Sequence, residues 1–224
     1  MAHLPDISFQ VANTAASIHG GTYEGSFLPG TSIPDGYGMI RTSTYGYRGG
    51  FKAGAFEGHG WIQFNFDGTG AEMVKEYTGG FSKNHFNGQG RAAYYPFLSL
   101  AQGFGGCNPI QFHGLVYDGG WVNSQKCGYG VMTSSLPGTT YIGGWNKDSQ
   151  EGYGTVFSSQ YAYPCYDGGW KRGKKEGYGK LFGADGTCNY EGGFKDDKQE
   201  GWGKYLAFDG NLYQGYWENG IRIA

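Results

Sequence analysis

The sequence predicts an all-β protein, an elongated and twisted single-layer antiparallel sheet of β-hairpins that stack in chain order. Three recurring features support this fold class. A tyrosine, a glycine two residues on and an aromatic four residues on recur along the chain; a Gly-x-Gly pair follows after a polar stretch; and an apolar residue comes two positions after each complete pair. Side chains two residues apart lie on one face of a strand. Each copy is therefore expected to form two strands joined by a turn, and sheets normally twist.

The clearest copy runs from Tyr141 to Gly154, with the sequence YIGGWNKDSQEGYG. A looser copy begins at Tyr23, with its closing glycines displaced by two residues, and a truncated copy begins at Tyr213. These eight units indicate a repeat array in which each unit contacts its neighbours. The six complete copies share the same offsets and begin at Tyr47, Tyr77, Tyr117, Tyr141, Tyr166 and Tyr190.

The polar stretches are rich in residues that tolerate a positive φ, such as Asn146-Lys147-Asp148. We expect them to be the hairpin turns, whereas Asp-Gly dipeptides supply the reversals between units. Glycine in a strand is costly unless another group must approach closely. Both closing glycines are therefore expected to lie on the aromatic face, beneath aromatic rings of adjacent hairpins.

The combination of Y-x-G-x-W, a polar turn and G-x-G resembles the MORN repeat, the membrane occupation and recognition nexus motif, from about Tyr23 to the last residue of the sequence. The resemblance is specific because several fixed positions recur together in each copy. MORN proteins include components of cytoskeletal and axonemal assemblies, such as radial spoke heads, and lipid-associated proteins, such as junctophilins and plant phosphatidylinositol phosphate kinases. The resemblance therefore implies either a protein scaffold or a lipid-associated adaptor.

Departures from the repeat divide the chain into four segments. Residues 1–22 precede the array, either as an N-terminal tail or as a cap on the first hairpin. Repeats 1–3 occupy residues 23–90, and repeats 4–8, the last one truncated, occupy residues 117–224. Residues 91–116 form an irregular aromatic insertion between them.

The insertion contains Tyr94, Phe97 and Phe104 and is too apolar for a plain linker. One interpretation is a loop that folds back on the sheet. The other is a docking element for a specific partner, because long ordered loops in compact proteins are often functional. The sequence favours the two interpretations equally.

Composition and motifs argue against several classes of function. A formal net charge of -2 implies no bulk attraction to nucleic acid or to anionic membranes. No secretory leader or long apolar run is present, and the four cysteines are widely separated, so we expect a cytoplasmic protein with reduced thiols. No metal-ligand spacing, phosphate-binding loop or catalytic constellation is present. We therefore expect no enzyme activity, no cofactor and no metal.

One basic cluster stands out, formed by Lys171, Arg172, Lys174, Lys175 and Lys180, and its first four residues are the candidate contact with anionic lipid. Its ordinary interpretation is a solvated hairpin tip. The alternative is a contact with anionic lipid, although polybasic membrane-binding segments generally add an anchor or about four to eight charges on one face. We therefore expect weak or no binding to membrane lipid.

The aromatic side chains of the regular second half form the candidate protein-binding site. Most such aromatics pack between repeats. A single-layer sheet, however, is not expected to cover both of its faces, so part of this stripe should remain reachable by a partner. The candidate partner-binding residues are Tyr141, Trp145, Tyr166, Trp170, Tyr190 and Phe194, together with Tyr94, Phe97 and Phe104 of the insertion.

These features favour a non-catalytic structural scaffold or adaptor that binds other proteins of a cytoskeletal or axonemal complex through its aromatic surface. We expect it in the cytoplasm, on the cytoskeleton or in a ciliary axoneme. Self-association into a homo-oligomer is a further option. The alternative function is an adaptor at phosphoinositide-containing membranes.

Overall fold

A computed structural model describes residues 21–65, 74–95, 100–101, 110–111, 114–135, 138–207 and 209–223. The regular elements in these ranges are β-strands. The first nine are β1 (Thr22–Phe27), β2 (Pro34–Arg41), β3 (Tyr45–Lys52), β4 (Ala55–Phe64), β5 (Val74–Ser82), β6 (His85–Tyr94), β7 (Leu100–Ala101), β8 (Ile110–Gln111) and β9 (Val116–Val122). The other nine are β10 (Gln125–Ser134), β11 (Thr139–Asn146), β12 (Ser149–Ser158), β13 (Pro164–Lys171), β14 (Lys174–Phe182), β15 (Cys188–Lys195), β16 (Lys198–Leu206), β17 (Leu212–Glu218) and β18 (Ile221–Arg222).

The chain divides into two compact units, in each of which the hairpin strands lie in chain order and pair antiparallel. The first unit contains β1 to β6, β9 and the first two residues of β10. The second contains β7, β8, the rest of β10 and β11 to β18. The short strands β7 and β8 pair with each other. The predicted all-β fold, an antiparallel layer of consecutive hairpins, is confirmed. The division of the chain at residues 91–116 stays a prediction.

The first hairpin is formed by β1 and β2, where the sequence shows only a loose copy of the repeat. Tyr23 makes an edge contact with Phe51 of the next hairpin, with ring centroids 5.1 Å apart. The aromatic contact between repeats therefore begins at this copy. The expectation of a tail or cap over residues 1–22 lies outside the described residues, apart from Gly21 and the first residue of β1, Thr22.

The polar stretches are confirmed as hairpin turns. Between β11 and β12, Lys147 has φ 47° and Asp148 has φ 67°. Between β15 and β16, Asp196 has φ 48° and Asp197 has φ 72°. Two successive residues with positive φ are characteristic of a type I′ turn, whose twist matches that of the flanking strands.

The two closing glycines of each repeat have different roles. In β12, Gly152 has φ 79°, and an added Cβ would meet nothing within 4 Å, so the backbone conformation requires glycine there. At Gly154 an added Cβ would overlap the ring of Tyr141, so space requires glycine there. The expectation that rings of adjacent hairpins cover both glycines is wrong in two ways. The ring over the second glycine belongs to its own hairpin. The first glycine is set apart from the aromatic face by an irregularity in strand pairing that is typical of a β-bulge.

Within each unit, a repeat tyrosine lies over glycines of its own hairpin and contacts the next hairpin at its edge, as Tyr141 shows. The hydroxyl of Tyr141 donates a hydrogen bond to the carbonyl oxygen of Gly144 at 2.9 Å. The ring of Trp170, in the next hairpin, meets Tyr141 edge-on with a centroid distance of 5.3 Å. The indole N–H of Trp170 also donates to the carbonyl oxygen of Gly154 at 3.0 Å. Such edge-to-face contacts are favourable, and here they join successive hairpins.

A carboxylate latch also joins successive hairpins at their turns. In five repeats, the residue before the first closing glycine is a carboxylate that accepts a hydrogen bond from a backbone N–H in the turn of the next hairpin. Glu151 Oε2, for example, accepts from the N–H of Arg172 at 3.0 Å. Beside this bond, the N–H of Gly173 donates to the carbonyl oxygen of Gln150 at 3.0 Å. The latch residues are Asp35, Glu57, Glu151, Glu176 and Glu200.

Candidate protein-binding surface

The second unit has two chemically different faces, because successive residues of a strand point to opposite sides. We call the face that carries Tyr141, Trp145 and Val156 the buried face. We call the face that carries Tyr153 and Tyr178 the open face. These two tyrosines are 63% and 60% exposed, whereas Tyr141 and Val156 are fully buried.

The predicted partner-binding aromatics of the second half lie on the buried face. Each is at most 5% exposed: Tyr141, Trp145, Tyr166, Trp170, Tyr190 and Phe194. The expectation that part of this stripe remains reachable is therefore not met in the free chain. Whether a partner contacts these residues stays a prediction.

Side chains of the closing strands explain how a single layer covers its own aromatic face. In the first unit, Phe56 stacks on the ring of Tyr47 with a centroid distance of 3.7 Å. At the equivalent position of the second unit, Lys175 Nζ lies 5.3 Å from the centre of the Tyr166 ring. The next turn closes over this position, because the N–H of Asp197 donates to the carbonyl oxygen of Lys175 at 3.1 Å. The aromatic side chains of the buried face are thus covered by other residues of the array.

The open face carries a second row of aromatics, which we call the open aromatic row. Four of its members are the residues between the two closing glycines of successive repeats. Strand pairing places these residues in one line across the strands, since Tyr153 lies opposite Gly169 and Trp202 lies opposite Tyr216. The row consists of Tyr129, Tyr153, Tyr178, Trp202 and Tyr216, all more than half exposed.

The sequence interpretation missed the open aromatic row, although a signal was present. The residue between the closing glycines is aromatic in five of the seven pairs: Tyr37, Tyr129, Tyr153, Tyr178 and Trp202. Its parity is opposite to that of the closing glycines and of the apolar residue that follows them, which places it on the other face of the strand.

Carboxylates hold two members of the row in place. The hydroxyl of Tyr153 donates to Asp167 Oδ2 at 2.5 Å, and Asp167 Oδ1 accepts from the hydroxyl of Thr155 at 2.7 Å. Tyr178 donates in the same way to Glu191. Hydrogen bonding to these carboxylates is the main cause that raises the pKa of Tyr153 and of Tyr178 to about 12. The hydrogen bonds hold both hydroxyls in place. Both side chains are uncharged at neutral pH.

Charges beside the row are largely partnered with one another. Lys180 Nζ lies 3.2 Å from Glu191 Oε1. Hydrogen bonds from Tyr178 and Lys180 lower the pKa of Glu191, so this carboxylate remains ionised and compensated. The open face thus presents exposed rings beside charges that already have partners.

The basic cluster is divided by the fold. Lys174 pairs with Asp196, with Nζ and Oδ1 2.9 Å apart, and this hydrogen bond raises the pKa of Lys174. Lys175 is only 4% exposed. Lys171 and Arg172 are exposed beside the turn. Lys174 is exposed as well, but it is already paired, so three exposed cations remain, one of them paired. This number is below the range of about four to eight charges that polybasic membrane-binding segments use.

The insertion is described only at its two ends and in its short strands. Tyr94 is 5% exposed, and Lys126 Nζ lies 5.3 Å from the centre of its ring. Phe97 and Phe104 lie outside the described residues. The docking interpretation of the insertion therefore stays a prediction.

The first unit contains a separate open cleft of about 590 Å³. On its floor, Gly46 leaves the backbone bare, with the nearest atom to an added Cβ 4.0 Å away. Arg48 is oriented by a hydrogen bond from its Nε to the hydroxyl of Tyr37 at 3.0 Å. The residues that line the cleft include Met39, Arg41, Arg48, Trp61 and Gln63.

Neither a metal-binding cluster nor a membrane-spanning helix is found in the described residues. In these ranges no group of three or more histidine, cysteine, aspartate or glutamate side chains is arranged to hold a metal ion. Nor does this part of the chain contain a helix long and apolar enough to cross a membrane. Cys127, Cys165 and Cys188 are free thiols, and Cys107 lies outside the described residues.

Comparison with known protein families gives a match to the MORN repeat over seven segments. No curated protein matches the chain. The matched segments are residues 47–65, 77–95, 117–135, 141–158, 166–188, 190–212 and 213–222. All seven begin at a repeat tyrosine and together they cover more than half of the chain, so the protein belongs to the MORN repeat family.

Proposed function

We propose that this protein is a non-catalytic scaffold that binds protein partners through the open aromatic row of its second unit. Membership of the MORN repeat family supports a repeat-based adaptor that binds proteins or membranes. The observation that carries the choice of surface is the line of five exposed tyrosine and tryptophan side chains beside partnered charges. Tyrosine and tryptophan are enriched at the centres of protein interfaces.

The open aromatic row is more accessible to a partner than the aromatic side chains of the buried face, for a physical reason. A partner that used Trp145 or Trp170 would first have to break edge contacts and hydrogen bonds that already satisfy these side chains. A partner on the open face would lose none of these contacts. Binding there requires little rearrangement of the free chain, which lowers its cost.

As the setting of this scaffold we propose a cytoskeletal assembly of the cytoplasm, axonemes included. The support is the resemblance of the repeats to MORN proteins in such assemblies. Imaging of the tagged full chain in ciliated cells tests this setting: signal along the cytoskeleton or axoneme supports it, and signal confined to membranes contradicts it.

The membrane-adaptor alternative has weaker support, because Lys175 is buried and Lys174 is paired with Asp196. Flotation with phosphoinositide vesicles at physiological salt is expected to leave most of the protein unbound. Strong flotation that is lost when Lys171 and Arg172 are both changed to glutamate would favour the alternative.

The scaffold proposal is tested by quantitative affinity capture of partners from a cell extract. The double variant Tyr178→Ala with Trp202→Ala is expected to lose most of the captured protein. Tyr161→Ala is the matched control, because Tyr161 is also exposed, at 44%, but lies in a joint between hairpins. Thermal melting of each free variant separates lost binding from lost folding.

Two results would contradict the proposed surface. One is unchanged capture by a folded double variant. The other is capture that survives in the double variant and disappears when residues 94–104 are replaced by a short Gly-Ser linker, which would assign recognition to the insertion.

A further inference from the structure

The open aromatic row has a regular period. Four members, Tyr129, Tyr153, Tyr178 and Trp202, lie on alternate strands from β10 to β16. Neighbouring strands are about 4.8 Å apart, so these rings recur about every 9.6 Å across the sheet. A polyproline II helix rises about 3.1 Å per residue with three residues per turn, which gives about 9.3 Å. One turn of such a helix therefore matches one repeat of the row.

Bare backbone separates the rings. Gly144, Gly169 and Gly193 occupy the row on the intervening strands, opposite Tyr129, Tyr153 and Tyr178. Side chains are excluded there, because an added Cβ at Gly169 would overlap the carbonyl oxygen of Glu176. The surface thus alternates between an aromatic ring and a strand without a side chain. The rings of Tyr153 and Tyr178 reach towards two of these strands, because their hydroxyls donate to Asp167 in β13 and to Glu191 in β15. The rings themselves are therefore the apolar contact surface of each repeat.

Two carboxylates beside the row already have partners. Asp167 accepts hydrogen bonds from Tyr153 and Thr155, and Glu191 pairs with Lys180. A charged partner would have to compete with these contacts, whereas a neutral one would leave them intact. The indole N–H of Trp202, on an exposed side chain, is a donor for a peptide carbonyl. Polyproline II segments present their carbonyl groups to the surroundings, and proline has no N–H of its own to satisfy.

We propose that the open aromatic row binds a neutral, proline-rich segment of a partner protein in the polyproline II conformation, with a proline at every third residue in register with successive rings. This inference rests on the proposed function, because it assigns a class of partner to the same surface. Aromatic-lined grooves suit such segments because the polyproline II helix is already ordered before binding. The distance from Tyr129 to Trp202 is about 29 Å, which about ten residues of polyproline II span.

The test is fluorescence anisotropy of the full chain with two labelled synthetic peptides of about ten uncharged residues. One peptide has proline at every third position. The other has the same composition with proline at every fourth position, so that its prolines do not match the row. The first peptide is expected to bind at least about tenfold more tightly, with little change on added salt because no ion pairs form.

Variants then locate the binding. Tyr178→Ala is expected to weaken binding of the matched peptide by about tenfold or more. Tyr178→Phe keeps the ring and is expected to bind within about threefold of the unmodified chain. Tyr161→Ala is the matched control and is expected to leave binding unchanged. Melting temperatures of all three variants identify any that fail to fold, and Tyr153→Ala replaces Tyr178→Ala in that case.

Three results overturn the inference: no binding of the matched peptide at millimolar concentration, equal binding of both peptides, or unchanged binding by folded Tyr178→Ala and Tyr153→Ala variants. Tighter binding of an acidic or basic peptide of the same length would assign the row to a charged partner instead. If cellular partners are lost from the Tyr178→Ala, Trp202→Ala variant while proline peptides do not bind, the proposed function stands and this inference fails.

Discussion

At the residue scale, the two closing glycines of each repeat solve different physical problems. Gly152 provides a positive φ in open surroundings, whereas Gly154 provides space beneath Tyr141. Sequence spacing shows that both positions are glycine but gives no indication of which requirement applies. The distinction needs the path of the backbone, because a β-bulge lies between the two glycines.

Asparagine substitutions should separate the two roles. Asparagine tolerates the left-handed region better than alanine, so Gly152→Asn is expected to cost less stability than Gly152→Ala, which should cost about 1–2 kcal/mol. At Gly154 the order should reverse, because the larger side chain meets the Tyr141 ring more severely. Chemical denaturation of the four variants measures this. The same order at both positions would refute the distinction.

The glycine two residues after the repeat tyrosine, Gly143 in this repeat, provides a further case at this scale. An added Cβ at Gly143 would lie 2.6 Å from both the Gly154 Cα and the Tyr141 hydroxyl oxygen. Gly143→Val is therefore expected to lower the melting temperature markedly or to prevent folding of the array. A variant that kept the melting temperature of the unmodified chain would show that the tyrosine does not pack as described.

At the element scale, hairpins are held together by aromatic edges and by the carboxylate latch. The hairpins, their turns and their order follow from the sequence, because tyrosine, glycine and polar turn residues recur at fixed offsets. The latch was not predicted, since Glu151 and Arg172 are 21 residues apart and meet only when consecutive hairpins pair. The covering of the aromatic face was also not predicted, because it depends on Lys175 and its equivalents lying across the tyrosine rings.

The latch predicts opposite effects at two equivalent positions. Glu151→Gln should destabilise the chain by about 1 kcal/mol, because a neutral amide is a weaker acceptor than a carboxylate. Cys127 occupies the same place in the preceding repeat. Cys127→Glu should add a latch to the turn at Lys147 and stabilise the chain by about 0.5–1 kcal/mol.

Urea unfolding of both latch variants provides the measurement. A conservative control is Glu151→Asp, whose shorter side chain keeps the charge but reaches less far towards the Arg172 N–H. If Glu151→Gln were as stable as the unmodified chain, the latch would be a contact of the folded state without energetic consequence.

At the scale of the whole molecule, the buried tyrosines link stability to alkaline pH. Burial raises the pKa of Tyr141 and of Tyr166 above the value of 10.0 for an exposed tyrosine, and it raises the pKa of Tyr190 to about 12. Above about pH 10 the unfolded chain loses these protons while the folded chain retains them. The stability that these buried tyrosines contribute should therefore be fully present below about pH 10, and the free energy of unfolding should fall as the pH rises further.

Spectrophotometric titration of tyrosinate absorbance in native and denatured protein checks this dependence. The titration curve of the native protein should be shifted to higher pH than that of the denatured protein. The shift should disappear at the pH at which the protein unfolds. Superimposable curves would show that the repeat tyrosines are not buried in solution.

The central claim is that partners bind the open aromatic row and not the aromatic side chains of the buried face. Hydroxyl-radical footprinting of the full chain, free and with a captured partner, tests it most directly because oxidation reports ring exposure. In the free chain, Tyr129, Tyr153, Tyr178 and Trp202 should oxidise rapidly while Tyr141, Tyr166 and Tyr190 remain protected. A bound partner should then protect the first set. Rapid oxidation of the second set in the free chain, or a bound partner that leaves the first set unprotected, would contradict the account.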